Sequence, residues 1–148
     1  MFVALNLVDV QDEILQAFQD AIPQPVFEQA IPDAETVRKV DGQIVPYVAL
    51  QFGDLQFIAS GRGFTGVRTD TYDLPIYVQV CAADATVARK IASGTVLSAL
   101  LGLTFSWTGQ LRKRPGGGMW PLVNSNGATE AYLFPSSWAV RVQLNETV

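Results

Sequence analysis

Leu74-Pro75-Ile76-Tyr77-Val78-Gln79-Val80-Cys81, followed at once by Ala82-Ala83-Asp84, is the stretch on which the fold turns. Leu74, Ile76, Val78 and Val80 alternate with Pro75, Tyr77, Gln79 and Cys81. A period of two is the signature of a strand that turns one aliphatic face to a core. Pro75 predicts a strand end, because proline has no N–H to give to a central ladder. Asp84 then predicts a helix N-cap, its carboxylate accepting from the free N–H groups of the first turn, and Gly102 predicts the far end of that helix.

Along the helix, Ala88, Ile91, Ala92, Thr95, Val96, Ala99 and Leu103 form one apolar-to-small stripe, expected to lie on the sheet. Gly94, Leu97 and Leu101 form a second, smaller apolar strip beside Lys90. A helix that is apolar on two sides is either deeply buried or partnered on its outer face. In a chain with few other helices to cover it, the reading adopted is a partner.

Upstream, Val10, Ile14, Ala17 or Phe18, and Ala21 or Ile22 recur at helical spacing. Asn6 or Asp9 is the expected cap, Asp12 and Glu13 suit the positive end of the helix dipole, and Pro23 and Pro25 end the helix. Extended pieces are expected at Val26 to Gln29, Thr36 to Val40 and Tyr47 to Phe52, with turns at Ile31-Pro32-Asp33, Asp41-Gly42 and Gly53-Asp54. Leu55 to Ser60 is expected to pair back across the Gly53-Asp54 turn. Gly61 to Tyr72 reads as a long loop or extended hairpin. Downstream come Phe105 to Arg114, a Pro115-Gly116-Gly117-Gly118 turn, a turn around Asn124 to Gly127, Tyr132 to Phe134, and a last strand whose Trp138, Val140, Val142 and Leu144 share one face. The order is helix, strands, helix, strands. It predicts one α+β domain over residues 1–148: an antiparallel (mixed) sheet with two main helices on one face and extended hairpins.

Composition narrows the function. The 148 residues include 10 Lys+Arg, 14 Asp+Glu, one Cys and no His. Without histidine the commonest general base, metal ligand and Ser–His activation are missing, and one cysteine makes neither an internal disulfide nor a cysteine zinc site. The formal charge of −4 argues against generic nucleic-acid binding. The expectation is a binding or structural module, not an enzyme, with no catalytic residues, no metal and no cofactor. Met1 to Val8 lacks a basic leader region, and Ile91 to Phe105 is too short and too interrupted to span a bilayer. A soluble, cytoplasmically made protein with no membrane partner follows as the expectation.

Charge is unevenly placed. Seven acids (Asp9, Asp12, Glu13, Asp20, Glu28, Asp33, Glu35) precede Arg38, with no base among them. From Arg38 onward, ten bases face seven acids. These are either ordinary solvated faces or the acidic and basic sides of a subunit that packs head to tail on its own copies.

Five groups of residues invite a chemical reading. Gly61-Arg62-Gly63-Phe64-Thr65-Gly66 spells a dinucleotide-binding pattern, but the mechanism needs a following helix, and here a strand follows; a loop using positive φ angles is the better account. Arg112-Lys113-Arg114 suits a solvated tip, an acid-binding contact or phosphates. Asp70 and Asp73, flanking Tyr72, hint at a cation site without supplying enough oxygens. Cys81 reads as a packed small hydrophobe. Trp107 and Trp120, beside turns, are candidate interface anchors.

Asp41-Gly42-Gln43-Ile44-Val45-Pro46-Tyr47-Val48, Gly61 to Arg68, Ile76 to Val80, Asp84, Ala88-Arg89, Leu100-Leu101-Gly102, Leu111 to Gly118 and Trp138 to Leu144 together carry a resemblance. Their layout, over roughly Asp41 to Leu144, resembles the tail terminators of long-tailed actinobacterial phages. The resemblance implies α+β subunits forming a hexameric ring on the head-proximal end of the tail tube. Such a ring stops tube polymerisation and presents the tail side of the head–tail joint. Its implied partners are its own copies, the major tail-tube protein and connector or stopper proteins, with DNA met only in passage through the lumen and a place in the virion neck. Arg62, Phe64, Arg68, Lys90, Gly94, Leu97, Leu101, Arg112, Lys113, Arg114 and Trp120 are the candidate interface residues. Two alternatives stand beside this reading: a head-completion or stopper protein, and a small-ligand-binding protein using the Gly61–Gly66 loop.

Overall fold

The computed structural model describes residues 7–28, 39–40, 43–62, 68–105, 110–115, 120–123, 127 and 129–145. Its elements are α1 (Leu7–Ala21), β1 (Val26–Phe27), β2 (Lys39–Val40), β3 (Gln43–Ile44), β4 (Tyr47–Phe52), β5 (Gln56–Arg62) and β6 (Arg68–Ala82). A continuous helical stretch follows, made of α2 (Ala85–Lys90), a π segment (Ile91–Val96) and α3 (Leu97–Leu101), and then β7 (Arg112–Arg114), β8 (Trp120–Val123) and β9 (Thr129–Asn145). This is the expected α+β class.

The spine is the antiparallel pair of β6 and β9, in register from Thr69↔Asn145 to Ala82↔Tyr132. β4 flanks β6, β1 runs parallel to β4, and β7 and β8 both pair with β9. β2 and β3 form a separate small hairpin bracketing Asp41-Gly42. The even-numbered positions of the three central strands build the core: Val48 and Leu50 from β4, Leu74, Ile76, Val78 and Val80 from β6, Trp138, Val140 and Val142 from β9. Val10, Ile14 and Phe18 of α1, and Ile91, Val96 and Leu100 of the second helical stretch, join that same cluster. Both helical layers therefore cover one face of the sheet, and apolar burial at about 25 cal/mol per Å² makes that face the main source of stability.

Three expectations change. Pro75 lies inside a 15-residue strand rather than at its end. Its carbonyl accepts from the Gly53 N–H at 2.8 Å, so its missing donor faces the same side, at the gap between β4 and β5, and no bond to β9 is lost. Gly53 fits there because a Cβ would come within 3.0 Å of both Pro75 Cβ and the Tyr77 ring. The second change is the partner of β5, which pairs with β6 and not back onto β4. β4 and β5 are successive lengths of one strand running beside β6, and the register slips by one residue between Phe52↔Ile76 and Gln56↔Asp73, then again between Phe57 and Ala59. Such bulges bend a strand and increase its twist.

The third change concerns the helix. Asp84 caps it as expected, accepting from Thr86 N at 2.8 Å and Val87 N at 3.1 Å, and Gly102 ends it. The π segment adds residues per turn; the buried positions are Ala88, Ile91, Val96 and Leu100, while Ala92, Ala99 and Leu103 of the expected stripe are partly buried against the core, so Leu100 is the addition. At the first helix, Asp9 sits inside the first turn rather than capping it, and Asn6 lies outside the described residues. The expected strand residues Gln29 and Thr36 to Arg38, and the turn at Ile31-Pro32-Asp33, also lie outside them.

Candidate interaction surfaces

Among the described residues no group of three acidic, cysteine or histidine side chains is arranged to hold a metal, and no helix is long and apolar enough to cross a membrane. Gly61 and Arg62 close the β5–β6 ladder opposite Thr69 and Arg68, and Gly63 to Gly66 lie outside the described residues. The helix that would hold a pyrophosphate is replaced by β6, which removes the geometry the ligand-binding alternative needs. Phe64 lies outside the described residues.

Asp70 and Asp73, whose spacing only hints at a cation site, are not brought together. Three apart on one strand, the two residues belong to opposite faces of the sheet. Asp73 is taken up differently: its Oδ1 accepts from Arg112 Nη2 at 2.9 Å and from Arg141 Nε at 3.4 Å. The carboxylate side chain is 7% exposed, while each guanidinium side chain is 50% exposed. Arg114 Nη1 reaches Gln56 Oε1 at 3.5 Å nearby. Arg141 stands between core-facing Val140 and Val142, so this cluster occupies the sheet face opposite the helices. The basic run is thus an acid-binding contact within the chain, made on the edge strand β7. One carboxylate among three arginines leaves the platform cationic.

At the other end of the same face, Tyr47, Ala49, Cys81 and Ala131 form a second buried cluster, lined by Phe27, Ile44 and Leu133. Cys81 is fully buried and is the register partner of Tyr47. Burial pushes the Tyr47 hydroxyl well above its ordinary value, and its hydrogen bond with Cys81 adds to the shift. Burial also raises the Cys81 thiol, the bond with Tyr47 pulling slightly the other way. Two consequences are measurable. The native thiol should alkylate far more slowly than in the urea-unfolded chain. Both groups hold their protons longer when folded, so their stabilising contribution is complete below the unfolded pKa values and is lost as pH rises from those toward the raised folded values. Unfolding titrations should therefore show stability flat near neutrality and falling from about pH 9, where an unfolded thiol ionises, then more steeply past about 10 as the tyrosine follows. Cys81→Ala should remove the first of these two steps.

The candidate interface residues do not gather in one place. Lys90 ends α2 and Gly94 opens outward from the π segment, where a Cβ would meet nothing within 4 Å. Leu101 is 48% exposed, with Val87 at 40% on the same helical stretch. Leu97 departs from the expected outer strip and packs against the core, as the π register shift requires. Arg112 and Arg114 belong to the platform on the far side of the sheet, Lys113 is exposed on β7, Arg62 and Arg68 sit at the β5–β6 hairpin end, and Trp120 opens β8 opposite Leu133. Trp107 lies outside the described residues.

Phe57 and Ile58 were not singled out in the sequence. They are 57% and 44% exposed on β5, next to the bulge, with the Phe57 ring edge-on to Tyr72 at 5.7 Å. Among the described residues β5 pairs only with β6. No family model matches the chain, and no curated protein does. Among solved structures, a chain from the "Virion of native gene transfer agent (GTA) particle" is similar at 18% identity, over 92% of this chain and 91% of that chain, with a TM-score of 0.46.

Proposed function

We propose that this chain is a non-enzymatic ring subunit that caps the head-proximal end of a phage tail tube, stops its polymerisation and forms the tail side of the head–tail joint. One structural observation supports the reading above the rest. β5, the N-terminal half of β6 and the C-terminal end of β9 form a three-stranded arm of about 20 Å. It carries exposed Phe57 and Ile58 beside a strand edge that no described strand pairs. A monomer gains nothing from an apolar, unpaired edge, which invites pairing with another chain. An assembling subunit gains a contact that covers it. The sequence resemblance over Asp41 to Leu144 supplies the kind of assembly.

The partners in this reading are copies of the chain in a hexameric ring, the tail-tube protein below and connector proteins above, with DNA passing through the lumen. Particles lacking the protein should carry tails of uncontrolled length that do not join heads, as seen by electron microscopy. Normal tails in its absence overturn the reading. Copurification with isolated tails, and not with filled heads, separates a terminator from a stopper.

A further inference from the structure

The outer surface of α1 and the arginine platform carry opposite charge on opposite sides of the sheet. Asp9, Asp12, Glu13, Gln16 and Asp20 are exposed. At 100° per residue they fall in a band about 100° wide, facing away from the buried Val10, Ile14 and Phe18. Asp9, Asp12 and Glu13 agree with the helix dipole, but Asp20 does not: it stands in the last turn, where a carboxylate is unfavourable and where no basic residue balances it. Asp20 accepts from Gln16 Nε2 at 2.9 Å, one turn back, which holds its carboxylate within the same exposed band.

The platform lies across the sheet from α1. Buried Asp73 anchors Arg112 and Arg141 by one contact each, and each half-exposed guanidinium carries further N–H donors. Arg114 stands two residues along β7 from Arg112, about 6.8 Å, and Arg141 lies two residues past Ala139, the register partner of Arg112. Carboxylates on one helix face recur at about 5–6 Å. The two spacings are comparable but not equal, a difference that long arginine side chains span.

We infer that the acidic band of α1 in one copy of this chain docks on the Arg112–Arg114–Arg141 platform of the next. The inference rests on the ring reading and names its two faces. Because the faces differ and lie on opposite sides of the subunit, the contact is heterologous and propagates head to tail, closing into a ring when the rotation closes. Asp73 is a positioning residue, holding the guanidiniums over the sheet so that little side-chain freedom is lost on docking.

The test is self-association of the full chain by sedimentation velocity at low and high salt. The wild-type chain should associate, less so at high salt. Asp12→Lys with Asp20→Lys, both exposed, should weaken association about 10- to 100-fold, since like charges then face each other, while the chain stays folded with only a small fall in thermal stability from the lost helix-dipole and Gln16 contacts. Arg114→Glu alone should also weaken it, and added to the lysine pair should recover part of the loss. Association that ignores the lysine pair overturns the inference and leaves the ring reading standing. A chain that stays monomeric throughout overturns the inference, and the tail-length experiment then judges the ring by itself. Salt-sensitive binding of double-stranded DNA that Arg114→Glu abolishes, without self-association, overturns it in favour of phosphate contacts.

Discussion

Replacing Trp138 with alanine is expected to cost about 3–5 kcal/mol, a large part of the roughly 5–15 kcal/mol that holds a domain of this kind together. Trp138 is 1% exposed and is the largest fully buried side chain among the described residues. It sits opposite Ile76 on the central strand pair. Its indole N–H is satisfied inside the core, donating to Ser136 Oγ at 2.9 Å. Truncation therefore removes the apolar contacts, opens a cavity between sheet and helices and leaves the serine without its donor. Urea unfolding should show a much lower midpoint with an unchanged slope. Trp138→Phe separates the effects: it keeps most of the ring volume and loses the hydrogen bond, so its cost should be about 1–2 kcal/mol. Equal costs for the two variants would show that the hydrogen bond, not the volume, is what matters there.

Local patterns made the central strand and both helices legible. The alternation from Leu74 to Val80 marks the inner face of β6, and Tyr47 to Phe52 is β4 as the Gly53-Asp54 punctuation implies. Asp84 caps its helix because an aspartate after a strand and before an apolar stripe has few other uses. What the sequence hid is non-local. Gly53-Asp54 looks like a hairpin turn, yet the strand after it continues along β6, because the gap faces Pro75, which has no donor to offer. The π segment leaves no periodic trace until Leu100 is seen to be buried and Leu97 turned toward the core. Of the interface candidates, the arginines of β7 gain meaning only from Asp73 and Arg141. These lie 39 and 29 positions away from Arg112 in the chain, and a register between β6, β9 and β7 is needed to bring them together.

That same cluster yields the second large effect, and its asymmetry is the informative part. Removing one arginine leaves Asp73 with the other, and since each guanidinium is half in water, Arg112→Ala or Arg141→Ala alone should cost only about 1 kcal/mol. Removing both leaves a carboxylate, 7% exposed, with neither of its cations. Stripping a buried charge of its partners costs about 3–5 kcal/mol, so the double variant should be destabilised by more than the two singles together. Asp73→Asn should be far milder than the double variant, because the arginines it abandons can turn to solvent. Placed in the double-alanine background, Asp73→Asn should recover part of the lost stability by removing the stranded charge. Urea unfolding of these five chains beside the wild type measures each step. Strict additivity of the two alanines, with no recovery by asparagine, would mean that water reaches Asp73 and that the guanidiniums are not held by it.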